Sequence, residues 1–205
     1  MESKDRCDVI IVGAGAAGLM AAIWAGRTHP KRSIVLLDGA KKIGAKILVA
    51  GGGRCNVTHH EVDPKRYAGS TRSAISKVLR RFDVPETKQF FSDLGVDLKR
   101  EETGKLFPTT DSSRDVLNAL ITAARKAKIR ILFPRRVEAV GSTSTGYFVS
   151  GEWGRMECEQ LVLATGGQSL PKSGSDGKGF DFVRSFGHQV TRTFPALVPL
   201  TLPKD

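Results

Sequence analysis

A glycine-patterned turn directly after an apolar run near the start of the chain constrains the fold more than any other feature. Residues 8–12 form the apolar run, residues 13–18 read GAGAAG, and a helical pattern follows. In this arrangement Gly13 permits a tight turn, Gly15 lets the backbone approach a ligand, and Gly18 lets the helix pack closely on the strand. The helix N-terminus then offers free N–H groups and a favourable dipole to an anion such as a diphosphate.

A second apolar run ends in an acidic residue. Ser33–Leu37 is predicted to be a buried strand, and Asp38 follows it, twenty positions after Gly18. An acid at this distance can accept hydrogen bonds from an adenosine ribose, and its charge disfavours the 2′-phosphate of NADP. Strand, glycine turn, helix and acid together predict an adenine dinucleotide site.

Length, charge and cysteine content limit the class of protein. The chain has 205 residues, 40% of them hydrophobic, and a net charge of +11. This length supports one core, or one domain with part of another. The basic residues occur as scattered pairs, which favours a solvated basic surface over a nucleic-acid role, although the latter stays open.

Cys7, Cys55 and Cys158 show neither paired spacing nor a zinc pattern, and no leader or membrane segment is recognised. We therefore expect a cytoplasmic protein without a membrane partner or a bound metal.

The remaining patterns predict an α/β fold with a doubly wound, Rossmann-like parallel sheet. Apolar periodicity, caps and glycine stops predict helices over residues 72–82, 85–95, 112–126 and 177–186. Residues 129–133 and 160–163 are predicted to add strands to the parallel sheet. Short strands at 136–141, 147–151 and 155–158 predict a small antiparallel β-meander insertion, and 96–99 with 105–107 predict a hairpin. Residues 59–70 are predicted to form a loop in which the adjacent His59 and His60 side chains diverge.

Two further motifs consist largely of small residues. Residues 51–58 read GGGRCNVT, a stretch that a ligand can approach closely, in which Arg54 carries a fork of hydrogen-bond donors. Residues 161–166 read LVLATG, where a predicted strand leaves the sheet. With the opening glycine motif and the closing PALVPL at 195–200, these segments resemble the bacterial BaiN/RdsA family of FAD-dependent oxidoreductases in order and spacing.

The resemblance implies a cofactor and a set of contacts. It implies FAD as the bound cofactor, NAD(P)H as a transient electron donor and a small-molecule substrate, with steroid enones reduced by some members. The cofactor-binding residues predicted from the motifs and the resemblance are Gly13, Gly15, Ala16, Ala17, Gly18, Asp38, Lys46, Gly52, Gly53, Arg54, Cys55, Asn56, Val137, Thr165 and Gly166. The family motif usually ends in Asn where this chain has His59.

Members of the resembled family are also longer than this chain. The resemblance therefore implies an FAD-binding domain over residues 1–193, with residues 194–205 beginning a connection to a further domain. It also implies that the C-terminal half, including a segment that returns to the flavin, lies outside this sequence. The chain alone is accordingly expected to be inactive.

The chemistry indicated by the residues is that of the cofactor. Cys55 has no resolving thiol nearby in the sequence, so a dithiol mechanism is disfavoured, and no nucleophile–base arrangement is visible. The catalytic acid is left unassigned. Three hypotheses follow: an FAD-dependent oxidoreductase acting on a small molecule, an FAD-dependent tRNA-modifying protein, and a non-catalytic nucleotide-binding fragment.

Overall fold

The chain folds around a six-stranded mixed sheet accompanied by a separate three-stranded sheet. The computed structural model describes residues 6–169, 171 and 174–195. The strands are β1 (Arg6–Val12), β2 (Ile34–Leu37), β3 (Thr58–His59), β4 (Leu98–Arg100), β5 (Lys105–Pro108), β6 (Arg130–Leu132), β7 (Ala139–Thr143), β8 (Gly146–Gly151) and β9 (Gly154–Leu163). The helices are α1 (Ala16–Thr28), α2 (Ala45–Val49), α3 (Arg72–Leu79), α4 (Val84–Asp93), α5 (Ser113–Lys126) and α6 (Lys178–Ser185). None of the helices in the described part is long and apolar enough to cross a membrane.

The large sheet has the order β6-β2-β1-β9-β8-β7. Strands β6, β2, β1 and β9 are parallel, whereas β8 and β7 continue the sheet in antiparallel fashion. The predicted parallel pairing of the first two strands is confirmed, with Val9 opposite Ile34 and Val12 opposite Leu37. The carboxyl ends of β1, β2 and β9 consequently meet at one edge, which is where parallel sheets bind ligands.

Alternation along β1 divides the core into two layers. Val9 and Ile11 belong to the cluster that contains the apolar faces of α1 and α5. Ile10 and Val12 point to the opposite side, where they join buried residues of β8, β9 and α6 such as Phe182. Because both faces of the strand are covered, it reads as a continuous apolar run rather than as alternating apolar and polar residues.

The helix and hairpin predictions hold with small shifts at their ends. The side chain of Ser112 accepts a hydrogen bond from the Asp115 amide and begins α5, while Asp83 and Glu86 form a capping box at α4. The predicted hairpin forms as β4 and β5, and β3 pairs with the other side of β5. The short elements α2 and β3 were not predicted, because each is too short to show a periodic pattern.

Two details of the sequence prediction are wrong. The third meander strand and the separate strand predicted at 160–163 are one continuous strand, β9, whose first half pairs with β8 and whose second half pairs with β1. The prediction left a break at Glu159, and the structure has no break there. The rings of His59 and His60 do not diverge, because their centroids lie 4.5 Å apart over Gly104. Residues 196–205 lie outside the described residues, so the predicted connection at 194–205 stays a prediction.

The second half of β9 has a free edge within the described part of the chain. Strand β8 pairs with residues Gly154–Cys158 only, and beyond them β9 has β1 on one side and no described strand on the other. Val162 in this half is 37% exposed. An unpaired strand edge of this kind presents N–H and C=O groups to any chain that can add a strand.

We expect the 205-residue chain to self-associate through this edge. A Val162→Lys substitution places a charge there and should lower the association constant several-fold in sedimentation velocity. Ser142→Lys, on the exposed outer strand β7, is the matched control and should leave association unchanged. A chain that stays monomeric over the whole concentration range, or a loss of association in Ser142→Lys alone, would contradict the assignment.

Candidate functional site

A cleft of about 1420 Å³ opens at the edge where β1, β2 and β9 end. Five of the segments that line it are the glycine turn with the start of α1, the connection after β2, the loop that ends at Thr58, the segment 135–137 after β6, and the exit from β9. Residues of α4, α5 and α6 line it as well. The sequence places all five at this edge because parallel strands deliver their carboxyl ends to the same side of the sheet.

The glycine turn has the geometry predicted for each glycine. Gly13 has a φ of 105°, and a Cβ there would lie 2.4 Å from the Ala164 oxygen. A Cβ on Gly18 would lie 1.8 Å from the Gly13 oxygen, so only glycine permits this approach of helix to strand. In contrast, a Cβ on Gly15 would meet no atom within 4 Å. Gly15 therefore faces the open space of the cleft.

The N-terminus of α1 points its free N–H groups at this space. Gly15 is the N-cap, it supplies no side-chain cap, and no acidic residue lies in the first turn. Ala16 and Ala17 line the cleft beside it. The first-turn N–H groups of a helix need an external partner, and an anion is the partner that the helix dipole favours.

Asp38 ties the turn to the exit from β2. One carboxylate oxygen accepts a hydrogen bond from the Ala14 amide at 2.6 Å, and the other accepts from the Ala40 amide at 2.8 Å. Each oxygen keeps a further lone pair, and the residue is half-buried in the cleft lining. The Asp38 carboxylate thus stabilises the turn through two backbone amides and can still accept a hydrogen bond from a ligand hydroxyl. The sequence did not indicate the first of these roles.

An ion pair joins two separate segments of the cleft wall. The Arg136 guanidinium binds the Asp176 carboxylate, and the Arg136 oxygen accepts a 2.6 Å hydrogen bond from the Trp153 indole. Gly39 lies against Arg136, since a Cβ there would be 2.8 Å from the Arg136 Cδ. These contacts hold the buried Val137 at the cleft, where its backbone was predicted to meet an adenine.

The glycine loop before Asn56 is held from outside by Arg54. The guanidinium of Arg54 pairs with Glu101, lies 3.6 Å from an Asp111 oxygen, and has its Cζ 4.1 Å from the centre of the Phe107 ring. Lys99 also pairs with Asp111, and this contact holds the pKa of the Asp111 carboxyl below its ordinary value. The guanidinium of Arg54 thus contacts residues in and around β4 and β5 instead of the cleft.

The cysteines are buried thiols. Cys55 is 7% exposed, lines the cleft and has a left-handed φ of 65°, and burial raises its pKa. Cys7 and Cys158 lie opposite each other on β1 and β9, a proximity that their spacing in sequence concealed. Burial raises the pKa of Cys7 to about 12 and that of Cys158 to about 11.

Aromatic residues form a second wall of the cleft. Met20 and Trp24 of α1 line it together with Phe82 and Phe91. The rings of Trp24 and Phe82 meet edge to face with centroids 6.0 Å apart, and Trp24 is 43% exposed. This wall was missed from the sequence, because its residues come from α1, from the residue Phe82 before α4, and from α4.

Most of the predicted site residues meet in the cleft. Those that line it are Gly13, Gly15, Ala16, Ala17, Asp38, Lys46, Cys55, Asn56, Val137, Thr165 and Gly166. Lys46 donates a 2.8 Å hydrogen bond to the Ser169 hydroxyl, and a Cβ on Gly179 would lie 2.0 Å from the Thr165 hydroxyl. Four do not line the cleft: Gly18, Gly52, Gly53 and Arg54. The contact of each residue with a cofactor stays a prediction.

Comparison with known proteins identifies the family. The HI0933-like protein Rossmann domain matches residues 7–195. This chain belongs to that family. Its members are FAD-binding oxidoreductases, which confirms the resemblance drawn from the motifs.

Two curated relatives of this chain carry different names. The "3-dehydro-bile acid delta(4,6)-reductase" of Clostridium scindens is 36% identical over 95% of this chain and 47% of the relative. The "Ribosomal RNA dihydrouridine synthase" of Escherichia coli is 34% identical over 98% of this chain and 49% of the relative. The chain therefore spans about half the length of the curated relatives it matches.

Solved structures share the fold at low identity. The 3-ketosteroid-delta4-(5alpha)-dehydrogenase of Rhodococcus jostii RHA1 superposes with a TM-score of 0.67 at 17% identity, covering 92% of this chain and 55% of that chain. The THI4 protein of Thermovibrio ammonificans superposes with a TM-score of 0.54 at 14% identity, covering 80% and 59%. These likenesses support the Rossmann-like sheet.

A contact of Asp38 with the ligand can be separated from its structural hydrogen bonds by a thermodynamic cycle that combines one substitution with one change of ligand. Asp38→Asn keeps the size of the side chain, and we expect it to weaken ADP binding by about 1–2 kcal/mol. The parent should bind ADP more tightly than 2′-deoxy-ADP, and the variant should lose that preference. Calorimetry with both nucleotides measures the coupling. An unchanged preference for ADP in the variant would show that Asp38 does not contact the ribose.

The thiols should be inert in the folded chain. At pH 8 only about one part in a thousand or less of Cys7 and Cys158 is thiolate, so a disulfide reagent should label neither until denaturant is added.

Cys55→Ser should keep FAD binding and flavin reduction by a nicotinamide donor in a full-length relative. Rapid labelling in the native chain, or loss of reduction with flavin retained in Cys55→Ser, would restore a thiol mechanism.

Proposed function

We propose that this chain binds FAD in the cleft and forms the cofactor-binding part of a carbon–carbon double-bond reductase. The observation that carries the proposal is the open backbone at Gly15, at the uncapped N-terminus of α1 and beside the Asp38 carboxylate. A diphosphate next to a ribose satisfies both groups at once, and an adenine dinucleotide contains them in that order.

The charge of the cleft lining supports the same ligand. Two carboxylates, Asp38 and Asp176, line the cleft against a larger set of cations. The cations are Lys42, Lys46, Arg135, Arg136 and Lys178. Asp176 is already paired with Arg136, so the remaining lining is positive and favours a doubly charged diphosphate.

The residues of the chain hold and orient the cofactor. Amides at the start of α1 would bind the diphosphate, Asp38 would accept from the ribose, and the backbone near Val137 would meet the adenine. FAD, when bound, supplies a two-electron carrier between a reduced nicotinamide and the substrate. Phe91, the buried member of the aromatic wall, would exclude water from its side of the cleft.

The names of the relatives indicate the class of reaction. A delta(4,6)-reductase and a dihydrouridine synthase both add two hydrogens across a carbon–carbon double bond. In a 3-oxo steroid and in a uracil ring that bond is conjugated to a carbonyl group. We therefore propose an α,β-unsaturated carbonyl as the substrate group, with hydride going to the β carbon and a proton to the α carbon.

The same names support two kinds of substrate. One relative is named for a bile acid and the other for ribosomal RNA, so a small enone and a uridine in RNA are both candidates. The expected tRNA-modifying alternative becomes an RNA-modifying alternative on this evidence. We propose that the remainder of a longer protein completes the substrate side of the site.

Steric blockage of the Gly15 space tests the cofactor assignment. Gly15→Val should abolish binding of ADP and FAD without unfolding the chain, because its side chain would fill the space assigned to the diphosphate. Gly167→Val is the matched control, since a Cβ there also meets no atom within 4 Å and Gly167 does not line the cleft. Calorimetry measures both ligands, and circular dichroism checks the fold.

The outcome also separates the enzyme from a simple nucleotide-binding module. We expect the parent chain to bind ADP nearly as well as FAD and to show little oxidation of a nicotinamide donor, because we propose that the remainder of a longer protein supplies part of the contacts to the flavin ring. Full turnover by the 205-residue chain would contradict the proposal that a further segment is required. Equal binding by the parent and Gly15→Val would place the nucleotide elsewhere.

A further inference from the structure

The segment between Asp63 and Asp83 carries an unusual concentration of positive charge. It contains six Lys or Arg residues and no Asp or Glu, and so accounts for six of the eleven net charges of the chain. The basic residues are Lys65, Arg66, Arg72, Lys77, Arg80 and Arg81. In the sequence they are two pairs and two single residues, but the structure folds them into one unit, in which α3 packs against the short helical turn Pro64–Arg66.

The charges of this unit are exposed and not neutralised. All six basic side chains are exposed, and none of them forms a salt bridge with any described residue. The flanking acids are engaged in caps: Asp63 accepts from the Lys65 amide, and Asp83 accepts from the Glu86 amide. A positive potential therefore extends over the whole unit.

The helix in this unit is not used to build the core. No residue of α3 is buried, and Val78 is 70% exposed. A helical projection places Arg72, Ser76 and Arg80 along one face, with Ser73 and Lys77 beside them. Hydroxyls between cations are suited to a chain of phosphates, since both donate hydrogen bonds to phosphate oxygens.

The basic unit also leads directly to the cleft. Arg81 is followed by Phe82, which lines the aromatic wall together with the exposed Trp24. Tyr67, half exposed at 50%, lies within the basic segment itself. Positive side chains with neighbouring exposed aromatic rings are the surface that binds single-stranded nucleic acid, through phosphate contacts and base stacking.

We propose that residues 64–82 form an RNA-binding surface that guides a nucleotide toward the aromatic wall of the cleft. The proposal deepens the proposed function, on which it rests for the reaction, by favouring a uridine in RNA over a free enone. RNA is favoured over an anionic membrane because serines lie between the cations of α3 and the basic unit continues into the aromatic wall of the cleft, whereas Ile75 and Leu79 on the apolar side of the helix are half-buried rather than free to enter a bilayer. Binding itself requires no flavin, so the two proposals fail separately.

The test compares two variants of equal charge in the full 205-residue chain. Arg72→Gln, Lys77→Gln and Arg81→Gln together remove charge from the surface. Lys31→Gln, Arg32→Gln and Lys126→Gln together remove the same charge from exposed positions near the amino end of β2 and the end of α5. Fluorescence anisotropy measures binding to a labelled oligouridylate and a labelled RNA hairpin over a range of potassium chloride concentrations.

We expect the parent to bind both RNAs with a strong salt dependence. The surface variant should bind at least about tenfold more weakly, with a slope of log affinity against log salt smaller by about two, since three phosphate contacts are lost. The control variant should stay within about twofold of the parent. FAD calorimetry on each protein should give unchanged affinity, which shows that the cleft is intact.

Three results would overturn the proposal. The parent could fail to bind either RNA, or both variants could lose affinity equally, in which case net charge rather than this surface is responsible. In the third result, the surface variant loses binding to phosphatidylserine vesicles while RNA binding is unchanged, which assigns the surface to a membrane. Retained RNA binding with absent FAD binding would instead refute the proposed function, while the assignment of residues 64–82 as an RNA-binding surface would hold.

Discussion

The contact between Gly18 of α1 and the Gly13 carbonyl oxygen determines the geometry of the whole site. It lets the helix begin directly over the end of β1, so that its unpaired N–H groups face the cleft. Asp38 then fixes the turn by accepting from the Ala14 and Ala40 amides. A side chain at Gly18 would force α1 away from the strand, and the amides and the carboxylate would no longer share one space.

Local motifs were predictable because their parts are adjacent in the sequence. The glycine turn, the capped helices and the parallel β1–β2 pair follow from periodicity and cap residues alone. Contacts between distant residues were not predictable: Arg54 pairs with Glu101 across 47 positions, and Arg136 pairs with Asp176 across 40. The single strand β9 was divided at Glu159 in the prediction, and this residue lies just beyond the point where pairing with β8 ends while pairing with β1 on the opposite side continues.

Two separate positive regions follow from the fold. The first lines the cleft and includes Lys46 and Arg135, where a small anionic ligand can be surrounded. The second is the exposed unit around α3, which no described carboxylate neutralises and which adjoins the aromatic wall at Phe82. The exposed basic unit beside the cleft supports the proposal that the substrate is a uridine in RNA, because a free enone would need only the cleft.

The central claim is that the N-terminus of α1 binds the diphosphate of an adenine nucleotide. Amide chemical-shift perturbation on the ¹⁵N-labelled chain, titrated with ADP, tests it directly. We expect the largest shifts at Gly15, Ala16 and Ala17, with further shifts at Asp38 and Val137. Saturable shifts confined to α3 or to the β4–β5 hairpin, with the residues of the glycine turn unmoved, would contradict it.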